Sequence, residues 1–303
     1  MIKQLSHYLD SVRDNMRLDP SSATEIIAEL EAHVEDRFQE MREAGLSDEE
    51  AAEECIGLLG SAKLVARQVY EAHSQGTWRQ ALLAAMPHLF FAMLFAIKWW
   101  WGISWLPVML LSIFAIAIYG WCRGKPAWLF PWLGYSLMPV VVAGLFLLYL
   151  PKGWAWATIL LYIPLVLWLL CYIIIKGIKK DWLYNALMLL PVPSIVGWFL
   201  VVEQGRVFST VILEHLYDFA PWSGLSFLVL AIAVAIFVRS RKRWFKMVIL
   251  GTSGLITLTM VTLASGKLGL FALICLVLLM VSILIVPALL DRRLRHDGQQ
   301  VAT

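Results

Sequence analysis

Residues 270–290 read LFALICLVLLMVSILIVPALL, an apolar run without a charged side chain, and residues 291–295 immediately after it read DRRLR. A helix of about 20 apolar residues spans the roughly 30 Å hydrocarbon core of a bilayer. Lys and Arg accumulate on the cytoplasmic side of such helices. The two stretches together therefore predict a membrane-spanning helix that ends at a cytoplasmic basic cluster.

Further apolar runs lie upstream of this one, and they predict a polytopic bundle. The chain is 60% hydrophobic and 16% charged, with a mean hydropathy of +0.72, whereas a soluble domain is about 25% charged. We predict an all-α protein, a small soluble helical bundle followed by about eight transmembrane spans, with six spans as the alternative. The predicted spans are residues 81–98, 102–121, 127–150, 154–175, 184–202, 224–239, 245–265 and 268–290.

The charges of the connecting segments predict the orientation of the bundle. One alternating set of connections holds 14 Lys and Arg residues, and the opposite set holds 4. Because the basic set faces the cytoplasm, both termini are predicted to be cytoplasmic, as in a multi-pass protein of the bacterial inner membrane. Most of the tryptophans lie near predicted span ends, where an aromatic belt forms.

Residues 1–76 form a predicted acidic helical domain ahead of the membrane domain, residues 77–290, and a basic then polar tail, residues 291–303. Residues 1–75 contain 16 acidic and 7 basic side chains, a net charge of 7 − 16 = −9. Helix signals recur within them: a break at Asp19-Pro20, capping boxes at Ser22/Glu25 and Ser47/Glu50, helix ends at Gly45 and Gly60, and a possible cap at Ser61. Inward-facing apolar stripes are predicted on the second helix (Ile27, Leu30, Val34, Phe38 and Met41) and on the fourth (Leu64, Val65 and Val69). The acidic balance argues against direct nucleic-acid binding, which needs a basic face.

The sequence of this domain also resembles a known family. The segments Glu29–Arg37 (ELEAHVEDR) and Gly45–Ala51 (GLSDEEA), followed by Leu59-Gly60 and Leu64-Val65, resemble the HAAS signalling domain and the similar permease prefix domain. The resemblance covers about the first quarter of the chain. It implies a bacterial cytoplasmic interaction module, often linked to helix-turn-helix regulators of the PadR type, and it supplies no catalytic residues.

A candidate partner-binding face lies on the second predicted helix. Glu29, His33 and Asp36 are spaced at i, i+4 and i+7, so they share one helical face, and Arg37 adjoins them. Such a set can also ligate a divalent metal, but nothing elsewhere in the sequence completes a site. The sequence therefore favours a docking face for a cytoplasmic protein, or a plain solvated face, and predicts no metal and no cofactor.

Two basic clusters are candidate sites for lipid headgroups or for docking of the acidic domain. Membrane lipids with anionic headgroups attract such clusters, although the usual charge bias of cytoplasmic connections needs no special role. The clusters comprise Arg239, Arg241, Lys242 and Arg243, and Arg292, Arg293 and Arg295.

Several features that would indicate other functions are weak or missing from the sequence. No nucleophile elbow, P-loop or zinc-protease motif is present. Charged residues at mid-depth of the predicted spans are almost absent, which argues against an ion-coupled transporter; His88 is the exception. The pair Pro191 and Pro193 interrupts the fifth predicted span, either as a kink or as part of a transporter site. The four cysteines fit buried small apolar residues better than a disulfide or zinc framework.

These observations predict a non-catalytic regulatory or sensory membrane protein whose cytoplasmic helical domain binds a protein partner. The alternative is a transporter or a permease-like subunit of a membrane complex.

Overall fold

The computed structural model describes residues 3–18, 20–97, 105–124, 126–137, 181–203, 211–265 and 270–301, with single positions between 160 and 175. Every regular element in these ranges is a helix. The chain divides into two compact units. Unit 1 comprises Met1–Gln75 with the short segments Lys179–Asp181 and Arg241–Arg243, and unit 2 comprises the remainder.

Unit 1 is built from four amphipathic helices: α1 (Lys3–Asn15), α2 (Pro20–Glu43), α3 (Asp48–Leu59) and α4 (Ala62–His73). Helix α1 contacts each of the other three, because its inward stripe contributes to both apolar clusters of the unit. The stripe predicted for α2 also points inward, with Ile27 and Val34 buried and Leu30 partly buried. The Tyr8 hydroxyl donates a hydrogen bond to the Gly60 carbonyl oxygen at 3.0 Å, and burial raises the pKa of this phenol.

The helix ends of unit 1 follow the local cap chemistry, with two corrections. Helix α2 begins at Pro20, so Ser22 lies inside the helix and the predicted Ser22/Glu25 capping box is wrong; proline is well suited to a first helical position. Leu64 was predicted to point inward, but it is 48% exposed. Ser61 occupies the N-cap position of α4 but makes no side-chain cap hydrogen bond.

The other predicted ends of unit 1 are confirmed. The capping box of Ser47 and Glu50 opens α3. Gly45 has φ +97° and follows α2, and the amide groups of Gly45 and Leu46 donate to the carbonyl oxygens of Arg42 and Met41. These two bonds form a Schellman motif, which satisfies carbonyl groups that the helix end leaves open.

Unit 2 contains longer and more apolar helices. They are α5 (Trp78–Ala96), α6 (Trp105–Cys122), α7 (residues 129–137), α8 (Trp182–Leu189), α9 (Pro191–Glu203), α10 (Val211–Arg239), α11 (Arg243–Ser265) and α12 (Leu270–Val301). Helix α10 packs most extensively on α5, and α12 contacts both α8 and α9. Residues 138–150 of the predicted third span, and most of residues 154–175 of the fourth, lie outside the described residues.

Four helical stretches in the described ranges are long and apolar enough to cross a membrane: Trp78–Ala96, Asp218–Arg239, Arg243–Ala264 and Leu273–Leu290. Large apolar side chains on them face outward, including Leu263 at 68% and Leu278 at 59% exposure. Extended exposed apolar surface is rare on soluble monomers, whereas it is what a lipid-facing helix requires. The chain is thus all-helical with four candidate membrane-spanning helices, and this supports the membrane class.

Three details of unit 2 differ from the sequence-based expectations. The helix of the predicted span 224–239 begins earlier than expected, because residues 211–223 are the first turns of α10, which continues through Pro221 to Arg239. Helix α12 extends through the predicted tail to Val301. Cys122, Cys171 and Cys275 are exposed, and of the four cysteines only Cys55 is buried.

The interruption predicted at Pro191 is confirmed. A turn at Leu190 separates α8 from α9, and Pro191 is the first residue of α9. Proline lacks an amide hydrogen and its ring collides with the carbonyl group four residues earlier, so a continuous helix through this point is disfavoured.

Candidate functional site

The four residues of the candidate partner-binding face all lie on the exposed side of α2. Glu29, His33, Asp36 and Arg37 are each classed as exposed, and at about 100° per residue they fall within roughly one third of the helix circumference. Arg37 forms an ion pair with Glu40, 2.6 Å between Nη1 and Oε2. Because this pair is solvent-exposed, it contributes little to stability. The face therefore remains free to meet a partner.

Helix α3 adds a second acidic surface to unit 1. Glu49, Glu50, Glu53 and Glu54 are exposed, and the Ser47 hydroxyl and backbone amide hold the pKa of Glu50 below its usual range. In the described residues, no group of three His, Cys, Asp or Glu side chains is arranged to hold a metal ion. A negatively charged surface of this kind is complementary to a basic protein face.

The residues of the first basic cluster differ in their contacts. In unit 2, Arg239 donates to the Gly76 carbonyl oxygen at 3.0 Å, and its guanidinium lies 4.6 Å from the centre of the Trp78 ring. In unit 1, Arg241 Nε donates to Gln75 Oε1 at 2.6 Å, and Lys242 is exposed. Arg292, Arg293 and Arg295 belong to α12, and their side chains lie outside the described residues.

The fourth member of that cluster, Arg243, leads to a site that sequence reasoning missed. In unit 1, Arg243 Nη2 lies 3.1 Å from Asp181 Oδ1, and Nε lies 3.3 Å from Oδ2. The Tyr70 hydroxyl donates to the same Oδ2 at 3.2 Å. Asp181 is completely buried and Tyr70 is 5% exposed. A buried carboxylate is thereby supplied with a forked guanidinium and a phenol, which are strong partners for it.

The same part of unit 1 contains two more contacts at the end of α4. The Ser74 hydroxyl donates to the Arg241 carbonyl oxygen at 3.0 Å, and Gln75 accepts from Arg241 as described above. Residues 70–75 are thus bonded to both short segments of the unit. We name the set of Tyr70, Ser74, Gln75, Asp181, Arg241 and Arg243 the Asp181 cluster.

The sequence contains only an indirect signal for this cluster. Tyr70 lies five residues after the inward-facing Val65 of α4, and Asp181 is an acidic residue directly after two lysines at the start of an apolar run. An acid in a basic connection is unusual for positive-inside topology. Its partners are 111 and 62 residues away, and no local periodicity reports such a distance.

Unit 2 contains buried polar groups among aromatic rings. His88 is fully buried, as expected if it faces the bundle, and its ring meets Tyr135 edge-on with centroids 5.0 Å apart. Tyr135 also stacks on Phe91 at 4.6 Å. Lys246 is fully buried, with Nζ 5.2 Å from the centre of the Phe237 ring, a cation–π arrangement. Lys246 lies at the start of the predicted span 245–265.

The chain matches no protein-family model, no curated protein and no solved structure. Its function is therefore argued from the geometry of its own residues.

Proposed function

We propose that this chain is a non-catalytic regulatory or sensory protein of the bacterial inner membrane, with about eight spans and both termini in the cytoplasm. Unit 1 presents the α2 face to a cytoplasmic protein. The resemblance of residues 29–65 to the HAAS domain suggests a PadR-type transcription regulator as the class of partner.

The observation that carries the proposal is the exposure of the α2 face in a segment with a net charge of −9. Glu29, His33 and Asp36 make no contribution to the apolar clusters of unit 1, so their chemistry is available to a partner. A transcription regulator has a basic surface for DNA, and opposite potentials steer association and fix its orientation.

The test uses the full-length protein in nanodiscs as the bait for soluble cytoplasmic proteins, with the double variant Glu29→Gln/Asp36→Asn beside the native chain. A matched control, Asp10→Asn/Asp14→Asn, also removes two negative charges, but from α1. We expect a protein that is retained by the native chain and by the control but lost with the α2 variant. Equal retention by both variants would argue against the α2 face, and retention of no protein would argue against the regulatory function.

A second candidate function, a transporter or permease-like subunit, is favoured by the break between α8 and α9. Ser194 is buried next to the break, and its hydroxyl has no hydrogen-bond partner among the described residues. Discontinuous helices with free polar groups form substrate sites in transporters. Uptake of a solute by vesicles that contain the purified chain, lost with Ser194→Ala, would favour this function over the first.

A further inference from the structure

The Asp181 carboxylate is a buried charge whose stability depends on a few donors. Its side chain has no exposed surface, whereas the side chain of Arg243 is 25% exposed. Removing a carboxylate from water is costly unless an opposite charge and hydrogen bonds replace the lost hydration. Arg243 supplies the opposite charge and two hydrogen bonds, and Tyr70 supplies a third. Loss of either of these two residues therefore removes part of the compensation of the buried charge.

The groups around Asp181 come from three separate parts of the chain. Tyr70 belongs to the last turn of α4, Asp181 immediately precedes α8, and Arg243 is the first residue of α11. The starts of two apolar helices thus provide the two charges of the ion pair. A shift of either short segment of unit 1 by a few ångströms would lengthen the Arg243–Asp181 contacts beyond hydrogen-bond range.

The remaining members of the cluster act on the same end of α4. Arg241 bonds to both Ser74 and Gln75, so the segment that carries Arg243 also holds the residues that follow α4. Displacement of residues 241–243 would therefore remove the contacts of Ser74 and Gln75 together with those of Asp181. The helix end would then depend on its own backbone hydrogen bonds, and helix ends fray readily.

We propose that the Asp181 cluster is a conformational latch: while Asp181 is paired with Arg243 and Tyr70 the end of α4 is held, and displacement of either short segment releases it. The latch requires no partner protein, so it does not depend on the proposed function. The latch has two states. A small displacement of a short segment changes the end of α4 from ordered to disordered.

Hydrogen exchange of the full-length protein in nanodiscs, read by mass spectrometry, tests the latch. In Asp181→Asn we expect exchange of the peptide covering residues 66–75 to rise by on the order of tenfold or more, because a buried ion pair has been broken. Tyr70→Phe removes a single hydrogen bond and should give a smaller rise, about twofold to fivefold. The control Glu43→Gln removes an exposed carboxylate from the last turn of α2 and should leave residues 66–75 unchanged.

The charge-reversed pair Asp181→Arg/Arg243→Asp separates a latch from a general loss of stability. We expect it to recover part of the protection that either single reversal removes. Unchanged exchange in Asp181→Asn would overturn the proposal, and so would a rise spread equally over all four helices of unit 1. If Asp181→Asn does not accumulate, the test uses Tyr70→Phe and Arg243→Lys instead. Native-like protection of residues 66–75 in both of these variants would also overturn the latch.

Discussion

At the scale of single residues, the α3–α4 turn depends on the backbone of Gly60. Gly60 has φ +82° and ψ −164°, a combination that residues with a Cβ atom rarely adopt. Gly57, three residues earlier, lies inside α3, and a Cβ atom added there would meet nothing within 4 Å. The two glycines therefore have opposite requirements although they are close in sequence.

We expect Gly60→Ala to destabilise unit 1 by about 1–3 kcal/mol, because alanine is strained in this conformation. Gly57→Ala is the matched control and should stabilise α3 by about 0.5–1 kcal/mol, since alanine is the better helix former. Amide exchange of α3 and α4 in the full-length protein measures both effects. A destabilisation of similar size in both variants would contradict the prediction.

The capping box at the start of α3 affects the protonation of Glu50. Glu50 Oε2 accepts a hydrogen bond from the Ser47 amide at 2.9 Å and one from the Ser47 hydroxyl at 2.6 Å, which lowers the pKa of Glu50 below the ordinary 4.5. A carboxyl with a lowered folded-state pKa stabilises the fold above its unfolded-state pKa, and this contribution is lost as the pH falls through the folded-state value.

Ser47→Ala should therefore raise the pKa of Glu50 back toward its ordinary value and weaken α3 by roughly 1 kcal/mol through loss of the cap. A carbon-13 titration of the labelled carboxyl groups measures the pKa directly. If the Glu50 titration were the same in both proteins, the capping box would not be formed in solution.

At the scale of helices, the elements with strong local signals were the ones that sequence reasoning predicted well. Gly45, Ser47 and Gly60 mark helix ends through backbone and cap chemistry that acts over three or four residues. Ser22 failed because Pro20 offers an earlier start that is also favourable. The predicted start at residue 224 was too late, because an outer connection and a helix start have similar apolar patterns, and the pattern alone does not show where the helix begins.

The Asp181 cluster could not have been predicted by the same means. A cap is encoded within one turn, whereas Tyr70, Asp181 and Arg243 meet only after the chain has folded. Positive-inside reasoning treated Arg243 as one of several equivalent cations. Its burial against a carboxylate distinguishes it from Lys242, which is exposed, although the two are neighbours in sequence.

The contact between α7 and α8 gives a prediction about helix packing in unit 2. A Cβ atom added to Gly134 would overlap the Met188 carbonyl oxygen, whereas one added to Gly251 in α11 would meet nothing within 4 Å. Small residues allow helix backbones in membrane bundles to approach closely. Because the neighbour of Gly134 is backbone, it cannot be relieved by a change of rotamer.

Gly134→Ala should therefore destabilise unit 2 by about 1–3 kcal/mol or more, the range for overpacking. Gly251→Ala should be neutral or slightly stabilising, because it only improves helix propensity. Thermal unfolding of the purified protein in one detergent, followed by circular dichroism, compares the two variants. An unchanged midpoint for Gly134→Ala would show that α7 and α8 are not in close contact.

At the scale of the whole molecule, the proposed topology can be tested with the native thiols. Cys122 is exposed at the end of α6, beside Arg123, in a connection that is cytoplasmic in the proposed topology. We expect a membrane-impermeant maleimide to modify Cys122 in inside-out vesicles and to leave it unmodified in intact cells whose outer membrane has been permeabilised. Modification from the outer side would reverse the proposed orientation of both termini. The variant Cys122→Ser is the control for the labelled site.

Because Cys55 is buried, the rate at which its thiol is alkylated can measure how often unit 1 opens. Its side chain is 2% exposed in the apolar cluster formed by α1, α2 and α3, and burial raises the pKa of its thiol. The thiolate is the reactive form, so alkylation must wait for a transient opening of the helices. In a variant that lacks the three exposed cysteines, the rate of alkylation would report how often unit 1 opens in its native membrane, without purification and without any knowledge of a ligand.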